Sequence, residues 1–472
     1  DETSARLNVD FDEFMTSQGM YFRPAPGTIS NGGASSIPPP GIYDTFENLD
    51  PYVRVTQGGV SLKASHDFEA LRVVSISSFR KNRALQKIAQ NGANIASLNA
   101  TLIYRTETYT QEIQFLSPDT NRFVWTAGAY FLHDTSQVSP FYFEGLAAGG
   151  GSARKGAQSE QVTDSYSAFA QVKTEVLPQT NLTIGARYTV DKRSLTGGRL
   201  NQPSGGAPVF VRAANSGVKA KWSEPSWRIA LDHQLTDDVM IYAAYNRGFK
   251  SGLFNTIIGP DFVNATPAVP VIDVPVNPEK LDAFTAGFKS EWLDNRLRIN
   301  AEAFYYKYKN LQLSQVLPIA GGGSTTRIGN AAAATMKGID VDITATPTRN
   351  LTLKAGFQMM RGRYDDYPDG QFFVYRPATG GNCAFTLFNA SNCALTPPNY
   401  NPATGHWNLK GNKTVQTPDF SMTLLANYDI PTSVGVFALA GSLFHSSSFY
   451  ANPDNGQGQI APSSPANNRQ SS

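Results

Sequence analysis

The sequence predicts an all-β protein, an antiparallel up-and-down transmembrane β-barrel that this chain covers only in part. Three observations predict it. Runs of alternating apolar and polar residues come in pairs joined by tight polar turns. Those turns are short, while the connections between pairs are long. Aromatic residues of the apolar parity gather at two levels along the runs.

The pairs follow one another along the chain. "GVSLKAS" and "LRVVSISSF" flank "HDFEA"; "QEIQFLS" and "FVWTAGAYFLHD" flank "PDTNR". Next come "SYSAFAQVKTEV" with "LTIGARYTVDKR" across "LPQTN", and "EPSWRIALDHQL" with "VMIYAAYNRGFK" across "TDD". "KLDAFTAGFKSEWL" meets "LRINAEAFYYKYKN" across "DN", and "GIDVDITATP" meets "LTLKAGFQMMRGR" across "TRN". The last pair is "PDFSMTLLANYDI" with "VFALAGSLFHSSS" across "PTSVG". Roughly 14 strands result, each bounded by Gly, Pro, Asn or Asp. The connections between pairs, 135–160, 196–221, 251–279, 311–334 and 365–417, are rich in Gly, Pro, Ser and Asn. Residues 1–59 read as a partial extracellular loop and strand entry, 60–450 as the barrel strands with their turns and loops, and 451–472 as a truncated extracellular loop.

Composition agrees with a wall that meets lipid. Charged residues make up 17 % of the 472, aromatics 11 %, and the net charge is +2, which favours no nucleic-acid partner. No apolar run reaches the ~18–20 residues of a membrane helix, but a barrel strand needs only ~9–11. Outward rings Phe131, Tyr188, Tyr245 and Tyr305 sit late in strands leaving short turns, and Tyr166, Trp227, Phe284 and Phe420 sit early in strands leaving long loops. Both sets fall at the long-loop end; Phe123, Trp125, Trp292 and Tyr428 fall at the other. Phe284 to Trp292 is about 26 Å of strand, roughly 20 Å along the membrane normal after a ~40° tilt, close to the ~25 Å apolar band of such barrels. Two aromatic levels at that separation suit the two membrane interfaces, and they predict an outer-membrane protein whose apolar face touches lipid.

The opposite parity carries charge of both signs: Lys173, Glu175, Arg187, Asp191, Arg228, Asp232, Lys289, Glu291, Arg298, Glu302, Asp340, Asp342 and Lys354. Charges on a lumen face must be wet or paired, so ion pairs are expected there. Nothing points to catalysis, a cofactor or a metal. The histidines, His66, His133, His233, His406 and His445, are scattered, and neither a nucleophile elbow nor a phosphate loop occurs.

"YAAYNRGFKSGLFN" followed by "NPEKLDAFTAGFKSEWLDNRLRINAEAFYYKYKNLQL" resembles the barrel of TonB-dependent outer-membrane receptors. So do "TETYTQEIQFLSP", "TDSYSAFAQVKTEVLPQTNLTIGARYTVDKRS" and "NAAAATMKGIDVDITATPTRNLTLKAGF". The resemblance covers most of 44–450. It implies a 22-stranded barrel, a plug domain inside it, and active uptake of a siderophore, metal complex or other scarce small nutrient with the TonB complex as partner. Against that pattern the chain shows no plug, TonB box or terminal aromatic residue, and it reads as a fragment of a receptor. Two other functions fit a barrel wall: a passive porin, and a surface adhesion or phage-docking barrel.

A ligand at the extracellular face would meet the long-loop ends of "NRGFKSGLF", "YYKYKN" and "MMRGRYDDY". These supply Arg247, Lys250, Phe254, Tyr306, Tyr308, Arg361, Arg363 and Tyr364. Basic groups would pair with ligand anions and rings would stack on a ligand ring or sugar. Strict parity turns Arg247, Arg361 and Arg363 outward and keeps Lys250, Tyr306, Tyr308 and Tyr364 on the lumen face.

Cys383 and Cys393, the only two cysteines, lie in one loop segment and are expected to form an extracellular disulfide. The chain-entropy model gives such a short closed loop roughly 2–3 kcal/mol. Non-reduced protein should therefore bind no maleimide and reduced protein two; labelling of both positions without reductant would contradict the pairing.

Overall fold

The computed structural model describes residues 2–17, 44, 48–89, 99–120, 122–145, 150–213, 216–256, 275–318, 324–368, 370, 400–401, 406–453, 455 and 469–470. Their main elements, in chain order, are strands. β1 (Thr3–Thr16), β2 (Tyr52–Asp67), β3 (Arg72–Ala89) and β4 (Asn99–Leu116) lead into β5 (Phe123–Glu144), β6 (Arg154–Leu177) and β7 (Thr180–Gln202). A short β8 (Val209–Arg212) precedes β9 (Val218–Thr236), β10 (Val239–Lys250), β11 (Glu279–Trp292) and β12 (Leu297–Pro318). β13 (Ser324–Thr348) and β14 (Leu351–Asp366) follow, then the two-residue strands β15 (Tyr400–Asn401) and β16 (His406–Trp407). β17 (Phe420–Thr432), β18 (Gly435–Ser446), β19 (Phe449–Tyr450) and β20 (Arg469–Gln470) complete the order.

Sixteen of these strands form one antiparallel sheet in which each long strand pairs with its sequence neighbour, from β1 at one edge to β18 at the other; β8 attaches to β7. The sheet does not close: β1 and β18 are not hydrogen-bonded to each other. All seven hairpins expected from the sequence are present, with turns as short as the two residues between Leu177 and Thr180 or between Thr236 and Val239. At the Trp292–Leu297 turn the backbone of Leu293, Asp294 and Asn295 is left-handed, a conformation Asn and Asp tolerate better than Leu.

Three features differ from the sequence expectation. Residues 3–16 form a strand rather than a loop. Leu7, Val9 and Phe11 alternate with Arg6, Asn8 and Asp10 there, and Asp10 on the polar parity takes both amino groups of Arg80 at 2.7 and 2.8 Å. The alternation is short and rich in acids, so it is weak as a sequence signal. The sheet therefore holds 16 strands rather than roughly 14, β1 and β8 being the additions. Finally, β5, β6, β7, β12 and β13 run on for 22–25 residues, through stretches expected to be loop. Above the membrane both faces meet water, so apolar alternation fades while the hydrogen-bond ladder continues.

The apolar parity forms the aromatic belt at the long-loop end. Phe131 contacts Tyr109 at 6.2 Å and Tyr166 at 5.1 Å between ring centroids. Farther round, Trp227, Tyr245, Phe284 and Tyr305 form a continuous row, with Tyr245 stacked on Phe284 at 4.6 Å. Between this row and Trp292, the same face presents Ile299, Ala301 and Ala303 on β12, register partners of Ile343, Val341 and Ile339 on β13. Large side chains such as Ile339 at 50 % and Met359 at 60 % exposure stand free, as a lipid-facing surface requires. No helix among the described residues is long and apolar enough to cross a membrane.

Val341 lies mid-band, opposite Ala301 and Phe357. Val341→Arg should cost about 2–4 kcal/mol in urea-dependent folding into vesicles. Asp342→Asn, one residue on and on the other face, should cost less than about 1 kcal/mol. Equal costs at the two positions would contradict the facing.

Candidate functional site

The polar face gathers its chemistry where the strand register leaves room. Tyr242, Gly287 and Glu302 lie abreast on β10, β11 and β12. Because Gly287 has no side chain, the Tyr242 ring lies across it and its hydroxyl donates to Glu302 at 2.8 Å. A Cβ at Gly287 would sit 2.8 Å from that hydroxyl. Phe304 lies across Gly338 in the same way, and Tyr306 stacks on Phe304 at 4.8 Å with planes 28° apart. Both rings are thus held against the wall by bare backbone.

Farther round, the Arg187 guanidinium lies 5.4 Å from the Tyr130 ring and 5.6 Å from the Phe169 ring. Phe169, Gln171, Arg187, Arg228, Asn246 and Leu281 help line a concavity of about 440 Å³. Arg228 donates to the Asn246 side-chain oxygen at 3.2 Å. The expected lumen ion pairs are present: Arg298 with Glu291 at 2.5 Å and Lys173 with Asp232 at 3.9 Å, the latter carboxylate also accepting from Asn181 at 2.8 Å. This arrangement can stack a flat ligand and pair with an anion. It assembles no nucleophile with a base, and the described residues hold no group of three or more metal-ligating side chains.

The residues singled out from the sequence separate into three sets. Lys250 and Tyr306 remain accessible on the polar face, Lys250 exposed at the end of β10 opposite Glu279 and Tyr306 half-buried. Tyr308 also faces inward but packs against a cluster at the outer mouth.

A second set is buried. Tyr364, 1 % exposed, sits in that cluster with Tyr367, Trp407 and Leu409, its ring 5.1 Å from Tyr367 in an edge-to-face contact. Phe254, 3 % exposed, packs among Ala157, Leu195 and Ala213, with Trp222 at 6.3 Å. Neither side chain presents a surface to a ligand. Loop residues Trp407 and Leu409 fold back over Tyr364, and Phe254 itself lies beyond β10 and packs onto β6 and β7, neither of which parity along a strand reports.

The third set lies on the lipid parity. Arg247 lies over Trp227 at 5.0 Å and meets Asp282 at 3.4 Å. Arg361 is exposed opposite Lys337, and Arg363 donates to the Gly411 carbonyl at 2.5 Å. Cys383 and Cys393 lie outside the described residues. Sequence reasoning missed Tyr242 and Phe304, because only the cross-strand register reveals which aromatic faces a glycine; it put Arg187 on the lumen face without showing that it lies against Tyr130 and Phe169.

A wall with an aromatic-belted apolar face and a charged inner face defines an outer-membrane β-barrel protein. The chain belongs to the TonB-dependent receptor family: residues 2–468 match the family model described as TonB dependent receptor-like, beta-barrel. This is a family of outer-membrane transport receptors of Gram-negative bacteria. Among solved structures, the ferric yersiniabactin uptake receptor FyuA from Yersinia pestis is similar at 14 % identity and a TM-score of 0.68, covering 96 % of this chain and 58 % of its own. The siderophore receptor PiuA from Acinetobacter baumannii matches at 14 % identity and a TM-score of 0.63, covering 96 % of this chain and 63 % of its own. BauA, the ferric preacinetobactin receptor of the same organism, matches at 16 % and 0.60, with 95 % and 60 % covered. The chain thus spans about three-fifths of the length of these receptors.

Burial pushes the Tyr367 hydroxyl well above the usual tyrosine range. A folded pKa above the unfolded value near 10 means that the mouth cluster contributes its full stability below about pH 10 and loses it as pH rises further. Tyrosinate absorbance should therefore show a late-ionising tyrosine that Tyr367→Phe removes. A titration unchanged by that substitution would contradict the burial.

Proposed function

We propose that this chain is the barrel part of a receptor that takes up a siderophore, metal complex or other scarce small nutrient, driven by the TonB complex through the receptor's plug. The family match over residues 2–468 is the observation that carries the reading. The names of the similar solved structures, receptors for ferric siderophores, support the siderophore class. A stacked Phe304–Tyr306 pair and an arginine lying over two rings suit a flat, anionic metal chelate better than a neutral saccharide.

In this reading Lys250 and Tyr306 touch the ligand. Lys250 supplies a mobile cation at the mouth, and Tyr306 supplies a ring face held in place by Phe304. Tyr308 acts less directly, since its ring is partly committed to the cluster around Trp407. Arg247, Arg361 and Arg363 belong to the outside of the wall.

Uptake of a labelled ferric siderophore by cells expressing the full receptor should be saturable and should stop when a protonophore collapses the energy supply. Uptake that persists without energy would favour a passive porin. Binding without any uptake would favour an adhesion barrel.

In the same receptor, Lys250→Gln with Tyr306→Ala should weaken ligand binding at least tenfold, about 1.4 kcal/mol, with heat-modifiable migration unchanged. Tyr308→Phe should bind like the unaltered protein. Unchanged affinity in the double variant would remove these residues from the site while leaving the receptor reading intact.

A further inference from the structure

The outward basic residues form a group whose position the uptake of a ligand does not explain. On the lipid parity of β11 to β14, Asp282 faces Lys307, Tyr305 faces Lys337, and Lys337 faces Arg361. Lys309 lies two residues beyond Lys307 on the same strand. Lys307, Lys309, Lys337 and Arg361 are all exposed. Among the described residues none of the four has a carboxylate within ion-pair distance; Asp282 is taken by Arg247.

Like charges directly opposite across an antiparallel pair repel, so Lys337 beside Arg361 destabilises the bare wall. A different sector of the wall shows the usual remedy. On β5 and β6, one step above the paired rings Phe131 and Tyr166, His133 meets Asp164 at 2.8 Å, and higher up the same hairpin Gln137 donates to Glu160 at 2.6 Å and Arg154 meets Glu144 at 2.6 Å. On β12 to β14 no carboxylate of the described residues reaches those four cations; Asp365, on the same parity of β14, accepts from the Thr335 hydroxyl at 2.6 Å instead.

Height along the wall indicates what does. Lys337 and Arg361 stand level with the Tyr305 ring that marks the outer interface, and Lys307 stands one step above it. Directly below are Ile339 and Met359, both exposed apolar side chains of the lipid-facing band. The cations therefore line the upper edge of that band, where acyl chains give way to headgroups. Anions at that depth are headgroup phosphates. A guanidinium can clasp a phosphate through two N–H groups, and neighbouring ammonium groups add further attraction to the same anion.

We propose that Lys307, Lys309, Lys337 and Arg361 form a binding site for the phosphate-bearing headgroup of an outer-leaflet lipid, with its acyl chains lying down the Ile339 and Met359 surface. Arg247 and Asp282 form the closed, self-paired border of the site.

The test uses the full receptor purified from outer membranes and delipidated in detergent. Native mass spectrometry would follow binding of diphosphoryl lipid A and of the same lipid with its phosphates removed. The diphosphoryl lipid should bind at least tenfold more tightly, and millimolar inorganic phosphate should not displace it. Equal binding of the two lipids overturns the proposal without any variant being needed. Full displacement by inorganic phosphate overturns it too, by making the site one for free anion. A variant with Lys307→Gln, Lys309→Gln, Lys337→Gln and Arg361→Gln should lose that tenfold preference. The lumen-side pair Lys173→Gln and Lys354→Gln should keep it. Where the fourfold variant fails to fold, Lys337→Gln with Arg361→Gln replaces it. That pair should lose most of the preference, and an unchanged preference in it would count against the site.

Discussion

In hydrocarbon a backbone N–H or C=O has no water to turn to, so every strand that crosses must be hydrogen-bonded on both sides. The rest of this structure depends on that constraint. It forces neighbour-to-neighbour antiparallel pairing from β1 through β18, because only adjacent strands joined by tight turns deliver a complete ladder without crossing connections. It fixes register as well, since a slip of one residue would send Glu302, Asp340 and Arg187 into lipid. It also leaves β1 and β18 as the two edges of this sheet, and nearly every residue of both is exposed.

With the ladder fixed, the two faces solve separate problems. The outer face must be apolar over a narrow band and amphipathic at its margins. The row Trp227, Tyr245, Phe284 and Tyr305 marks one margin, and Trp292 and Tyr428 lie toward the other. The inner face must hold charges without exposing them to hydrocarbon, and it does so by pairing them across strands, as in Arg298 with Glu291. Glycines on this face let rings lie flat, which gives a receptor wall stacking surface without narrowing its lumen. Above the membrane both faces become wet, and the ladder simply continues as tall hairpins capped by small apolar clusters around Trp407 and Phe254.

Much of this was legible in the residues themselves. The seven hairpins, the lipid parity and the aromatic belt follow from period-2 alternation, since one residue in two must suit lipid along every crossing strand. Legibility failed where that pressure is absent. β1 has only Leu7, Val9 and Phe11 against a strongly acidic partner face, and the tops of β6, β7 and β13 carry no apolar parity because water bathes both sides. The candidate site suffered from the same cause. Parity placed Lys250 and Tyr306 correctly on the inner face and turned Arg361 outward, but it could not foresee that loop residues 406–411 fold back over Tyr364. Nor could it show that Tyr242 and Phe304 face glycines, because that is a property of three strands together.

The central claim is that one parity of these strands meets lipid and the other a polar lumen. Single cysteines placed at successive positions 300 to 304 in the full receptor, spin-labelled in native-like bilayers, test it most directly. Labels at 301 and 303 should collide with lipid-dissolved oxygen, and labels at 300, 302 and 304 should not. Accessibility that fails to alternate along this stretch, or alternates in the opposite phase, would contradict the account.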